Sequence, residues 1–359
     1  MPFEQGHNLF LIRPAAVMLV LLGNVGFDLS QFGLAEASPS ERPRLNSIRG
    51  AEPSGKLPPS EKDCAMNRHF QAAQRIFTPA VSVLVWAAMA TGAARSADCD
   101  RACLQNMITR YVDAMVAHAP SRLPLAAKAR FTEDSHELGG GLWKTVTRKG
   151  DFRQDYIDRK RQIAASHVVL FEGDTQVIYS VVLHVAKRKV SGIETLVYRV
   201  PADVKHKPDQ LSKPLVGMGD PVPAGKGTPR AEMVRVALSY AEGLRLGSFV
   251  KSNTPFAPQA YRLENGVKYA GGGCVGTDCA IRTQKLLLHP DIKTSVAAVD
   301  EEAGTVLLWM NFGDTHSYGP NKALVTFEAF KIWDGAIHAV NAFLCYLPKE
   351  TARGWPSAE

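Results

Sequence analysis

Downstream of Cys99 the spacing of apolar positions changes from a helical to a strand period, and the same change happens again further along. Leu104, Met107, Ile108, Tyr111, Met115 and His118 recur at three and four residues, which places them on one face of a helix ending before Pro120. Pro124 and the Ala-rich residues 125–129 predict a second, short helix, and Gly139-Gly140-Gly141 breaks the chain before Leu142-Trp143. After Asp151 the period becomes two. His167, Val169 and Phe171 alternate with Val168 and Leu170, and residues 177–185 and 193–200 follow as strands rich in β-branched side chains. The connections Glu172-Gly173-Asp174 and 186–189 are of hairpin length. Helices followed by a curled antiparallel sheet define an α+β unit with the helices on one sheet face. Val177, Tyr179, Val181 and Leu183 form the row that covers the helices. The opposite row, with Ile178 and Val182, needs its own cover, from a second unit or from another chain.

Residues 205–229 are rich in proline and glycine and mark a boundary, after which the plan restarts. Met233, Val236, Ala237, Tyr240 and Leu244 share a helical face ending at Gly247, and residues 279–288 read as a short helix. Strands follow at 295–299, 305–312 and 324–332, the last paired with 336–347 through the turn Trp333-Asp334-Gly335. Asp-Gly accepts the positive φ angles of a tight turn, whereas Lys187-Arg188-Lys189 at the matching place predicts a different turn. Tyr111 precedes Glu133 by 22 residues and Tyr240 precedes Glu264 by 24, so one structural unit is used twice. The expected organisation is a first unit at 98–203, a linker at 204–229, a second unit at 230–350 and a tail at 351–359.

Upstream, residues 15–25 are apolar and residues 38–63 are polar and core-less. Met66 opens a better-formed export signal. Arg68 and Arg75 supply the basic region, residues 76–89 the apolar region, and the small residues 90–97 the cleavage sites. Residues 1–65 are then an over-extended start and 66–97 a signal peptide, with a membrane anchor over 76–94 as the competing reading. The net charge of +7 is scattered and not striped with aromatics, which argues against a nucleic-acid partner. An exported, periplasmic or extracellular chain permits disulfides. Cys99 with Cys103, and Cys274 with Cys279, are each spaced to close a small loop. The alternative, a four-cysteine metal site, lacks the two-residue knuckle spacing and a flanking histidine, and no metal is expected. Cys345, in an apolar run, reads as a buried thiol.

Several segments carry a family resemblance: Cys99-Asp100-Arg101-x-Cys103, Tyr111-Val112-Asp113-Ala114, Pro120-Ser121-Arg122-Leu123-Pro124, Phe131-Thr132-Glu133 and Gly141-Leu142-Trp143. Arg262-Leu263-Glu264-Asn265-Gly266, Val299-Asp300-Glu301-Glu302, Phe330-Lys331-Ile332-x-Asp334-Gly335 and Gly354-Trp355 continue it. The pattern resembles an uncharacterised secreted family of bacteria and fungi, similar to the SnoaL-like and nuclear transport factor 2-like superfamily. The resemblance implies two tandem cone-shaped units of α+β class, each with helices packed in a curved antiparallel sheet, also described as cystatin-like. It implies function only loosely, since that superfamily holds isomerases, dehydratases, lyases, cyclases, epoxide hydrolases and plain binding modules.

Enzymes on such cones work without a cofactor, moving protons with a carboxylate, histidine or tyrosine inside an apolar cavity. The candidate acid–base groups are Glu133, His136, Tyr156 and His167, and the candidate substrate-binding groups are Tyr111, Trp143, Arg153 and His316. Tyr111 and Glu133 recur as Tyr240 and Glu264 and so read mainly as scaffold. His136, Trp143, Arg153 and Tyr156 have no counterpart and are the better functional candidates. No Gly-x-Ser-x-Gly elbow exists, and Gly271-Gly272-Gly273 lacks the setting of a phosphate loop. Two functions remain open: an exported, cofactor-free lyase, dehydratase or isomerase acting on a small apolar molecule, aromatic or polyketide-like, or a non-catalytic protein binding a small ligand or a partner. A homodimer, or packing of the two sheets on each other, would cover the spare apolar faces.

Overall fold

The helical period after Cys99 becomes α1, Arg101–Val116, in a computed structural model that describes residues 98–137, 141–212 and 215–359. The expected over-extended start, signal peptide and alternative anchor, residues 1–97, lie outside the described residues. Asp100 caps α1 by accepting the Cys103 N–H at 2.8 Å. Leu104, Met107, Ile108, Tyr111 and Met115 face inward. The first sheet contains β1 (Leu125–Glu133), β2 (His136–Glu137), β3 (Arg148–Asp158), β4 (Ile163–Glu172), β5 (Thr175–Ala186) and β6 (Lys189–Arg199), in the order β2-β1-β6-β5-β4-β3.

The second half repeats this plan. Helix α2 (Arg230–Arg245) is followed by β7 (Phe256–Glu264), β8 (Val267–Ala270), β9 (Lys293–Asp300), β10 (Thr305–Asn311), β11 (Lys322–Trp333) and β12 (Ala336–Pro348), in the order β8-β7-β12-β11-β10-β9. Both sheets are mixed: β1 runs parallel to β6 and β7 parallel to β12, while the other pairings are antiparallel.

Three local expectations change. Residues 125–129 are strand, not helix. β1 pairs with β6 at Leu125 opposite Val190 and again from Arg130 opposite Gly192, with an irregularity between, and these two anchor points hold the alanine-rich run extended against its helical preference. Residues 279–288 form turns and irregular chain. Ile281 is buried but Leu287 and Leu288 are exposed, so no continuous apolar face exists to hold a helix. Finally, the β5–β6 turn does not differ from its counterpart. Lys187 and Arg188 have φ of 49° and 60°, as Asp334 and Gly335 have 52° and 71° in the β11–β12 turn. Both links are two-residue turns with positive φ at both centres, and the first achieves this without a glycine.

The alternation along β5 divides the core. Val177, Tyr179, Val181 and Leu183 join α1 in one apolar cluster. Ile178 and Val182 belong to a larger cluster shared with the second half, which also takes in Leu211, Leu215 and Met218 from the connecting stretch. The seam between the halves is reciprocal. Arg101, the first residue of α1, forks onto Asp300, the last residue of β9, at 2.8 and 2.9 Å. Arg230, the first residue of α2, forks onto Asp158, the last residue of β3, at 2.7 and 3.2 Å. Asp300 also accepts the Ile157 N–H at 2.9 Å, and Asp158 the Val299 N–H at 3.0 Å. Each fully buried carboxylate is thus satisfied by the opposite half, the arrangement of a two-fold interface built within one chain.

Candidate functional site

In the first cone both members of the duplicated pair are held by hydrogen bonds. Tyr111 Oη lies 2.7 Å from Tyr179 Oη and accepts the Trp143 indole N–H at 3.1 Å, and the Tyr111 and Trp143 rings meet edge to face at 5.5 Å. Glu133 accepts the Leu142 N–H at 2.9 Å, and Gly141 lies so close that a Cβ there would fall 2.2 Å from the carboxylate. Burial raises the Tyr111 and Tyr179 hydroxyls far above the ordinary range, so both stay protonated. Next to Glu133, burial pushes the Asp134 carboxyl up to about 6.

Tyr156 and His167 also meet, though elsewhere. Tyr156 Oη and His167 Nδ1 are 3.1 Å apart, and that Nδ1 is 3.2 Å from Asn341 Nδ2 on β12. His167 stacks on Phe343 with ring centres 4.1 Å apart, at the seam between the sheets. Both Tyr156 and His167 are fully buried, and burial lowers the His167 pKa to about 3, so the imidazole is neutral. The remaining sequence candidates stand apart from these two groups. His136 is exposed on β2, and His316 is exposed in a loop with Nδ1 3.3 Å from Asp314. Arg153 grips Asp155 and donates to Thr109 Oγ1 at 2.7 Å and to the Gln105 carbonyl at 3.0 Å, tying β3 to α1. A recess of about 180 Å³ lies there, lined by Thr109, Val112, Phe152 and Arg153. A cleft of about 600 Å³ lies along the first sheet and the connecting stretch, with Arg148 stacked 3.4 Å above the Phe171 ring.

The second cone keeps the duplicated pair and surrounds it with charge. Burial pushes the Glu328 carboxyl up to about 8, and the nearby Glu264 carboxylate adds to the shift. Arg262 and a hydrogen bond with Tyr240 oppose it. Arg262 Nη1 approaches Tyr240 Oη at 3.5 Å, and its Nε is 2.8 Å from the partly exposed Glu264. Tyr240 packs edge to face on Phe330 at 5.0 Å. The turn pairing of β5–β6 with β11–β12 puts Val181 in the place of Glu328 and Tyr179 in the place of Thr326. Glu328, Arg262, Tyr179 and Thr326 are not among the site candidates that the sequence offers. A signal for Glu328 exists: it is the lone carboxylate inside the apolar strand 324–332.

Cys99–Cys103 and Cys274–Cys279 are disulfides, which removes the four-cysteine metal alternative, and Cys345 is free and buried. Among the described residues no group of three His, Cys, Asp or Glu side chains is placed to hold a metal ion, and no helix is long and apolar enough to cross a membrane.

One helix against a six-stranded mixed sheet in the order 2-1-6-5-4-3, present twice, defines a tandem nuclear transport factor 2-like cone fold. A family model described as a domain of unknown function, DUF8021, matches residues 226–344, the greater part of the second cone. No curated protein matches the chain. Among solved structures, it is similar to one from Kribbella flavida DSM 17836, provisionally described as a ketosteroid isomerase. The match has 20% identity over 31% of this chain and 93% of that one, with a TM-score of 0.23. At that score the fold rests on the strand order, and the match says nothing about activity.

Proposed function

We propose that this chain is a cofactor-independent acid–base enzyme, a lyase, dehydratase or isomerase for a small, mostly apolar molecule, and that its second cone carries the chemistry. The observation that carries this reading is the buried Glu328 carboxyl against Tyr240, with Arg262 and Glu264 beside it, where the first cone carries Val181 in the place of Glu328. Strongly perturbed carboxyls inside a fold's interior are where proton-transfer sites are found. At neutral pH Glu328 is mostly protonated, so it and Tyr240 both offer hydrogen bonds to an oxyanion developing inside the cone. Glu264, held by Arg262 and partly open to solvent, is the base that takes a proton beside the accepting carbonyl. The two disulfides fit an oxidising compartment, consistent with an exported protein.

The test incubates the purified chain in D2O with a panel of enolisable cyclic ketones and β-hydroxy ketones, and follows deuterium uptake and loss of water by mass spectrometry. Glu328→Val installs the residue that the first cone carries at the same register position, so the fold is retained. It is expected to lower turnover by about a hundredfold or more. Turnover unaffected by this change would overturn the assignment of the chemistry to Glu328, and no turnover of any ketone would leave a protein that binds a ligand without converting it.

A further inference from the structure

Thr326 stands two residues before Glu328 on β11, and Phe330 two residues after, so the three side chains share the face that meets Tyr240. The Thr326 side chain is fully buried, and its hydroxyl has no hydrogen-bond partner in the protein. Its register neighbours explain this: Met310 on β10 and Leu344 on β12 offer no polar side-chain atom able to pair with it strongly. An unmet buried hydroxyl is costly, and it is rare in native interiors unless something else meets it. In the first cone the same register position holds Tyr179, whose phenol reaches Tyr111 and closes the network. The second cone therefore has a smaller side chain and an open hydrogen-bonding group where the first has a ring and a satisfied one.

We propose that Thr326 determines substrate specificity in the second cone, its hydroxyl pairing with a second oxygen of the substrate. This rests on the reading of Glu328 and Tyr240 as the reacting end. Two residues along a strand separate the two anchoring points by roughly 6–7 Å. The substrate class is accordingly a compact apolar ring system with two oxygen functions at about that separation: a carbonyl at the Glu328 end and a hydroxyl or carbonyl at the Thr326 end.

Titration calorimetry with 1-tetralone and 6-hydroxy-1-tetralone tests the assignment. The intact chain is expected to bind the hydroxylated ketone about tenfold more tightly, and Thr326→Val to bring the two ketones to the same affinity. Because the hydroxyl has no protein partner, the same variant is expected to melt at an unchanged or higher temperature. Equal binding by the intact chain, a preference that survives in Thr326→Val, or a lowered melting temperature would each overturn the Thr326 assignment and leave the Glu328 site standing. If neither ketone binds, the Glu328 site and the Thr326 assignment fall together.

Discussion

Glu328 shows how one residue acquires its chemistry. A glutamate in a strand is unremarkable by propensity. Placed under α2 beside Tyr240 and Glu264, it holds its proton to about pH 8 against an ordinary value of 4.5. The folded state then binds a proton that the unfolded state has lost across that window, so its contribution to stability is full below about 4.5 and declines as pH rises through 8. The difference in urea-unfolding free energy between the wild type and Glu328→Gln should accordingly shift against the wild type from pH 5 to pH 8. His167 works in the opposite sense: its pKa falls to about 3, so the stability of its neutral form is lost on acidification below 6.5. Wild-type turnover is expected to fall above pH 8 as Glu328 ionises, and that limb should be absent from the pH profile of Glu328→Gln. Of the sequence candidates, Tyr111, Trp143 and Glu133 come together, as do Tyr156 and His167. Exposed His136 and His316 do not join either group, because nothing in a local spacing says which strand end faces a neighbour.

At the scale of elements, strands were legible wherever both alternating rows were apolar, as in β5 and β11, because strong β-branched runs leave little competition. The misread segments are those whose state is set by a partner. The run at 125–129 is helical by composition and becomes strand through β6. The Lys187-Arg188 turn is a further case: neither residue favours positive φ, yet the flanking strands impose the same turn as Asp334-Gly335. Left-handed φ costs a residue with a Cβ about 1 kcal/mol. Replacing Lys187-Arg188 by Asn-Gly is therefore expected to stabilise the chain by roughly 1 kcal/mol in chemical denaturation, with no change in any site residue. An unchanged midpoint would mean that the Arg188 contact with the Asp98 carbonyl offsets the strain.

For the molecule as a whole, the decisive feature is that the two halves complete each other. Removing one partner of a buried ion pair leaves the other charge unmet, so Asp158→Ala and Asp300→Ala are each expected to cost about 3 kcal/mol in urea unfolding. Each carboxylate accepts the main-chain N–H of the residue just before the other one, Asp158 from Val299 and Asp300 from Ile157, so the double substitution should cost less than the sum of the singles. Strict additivity would mean the two Arg–Asp forks act independently. By itself the sequence determined the repeated order of helix and strands, the rows that alternate along each strand, the close spacing of two pairs of cysteines and the duplicated Tyr–Glu pair, because periodicity and short spacing are local properties. Only the tertiary structure decided that β1 and β7 join their sheets in parallel, that Arg101 and Arg230 cross to the opposite half, and that Glu328 and Thr326 lie under α2. Those outcomes depend on burial and pairing between residues far apart in the chain, and burial is what turns an ordinary carboxyl and hydroxyl into a candidate site.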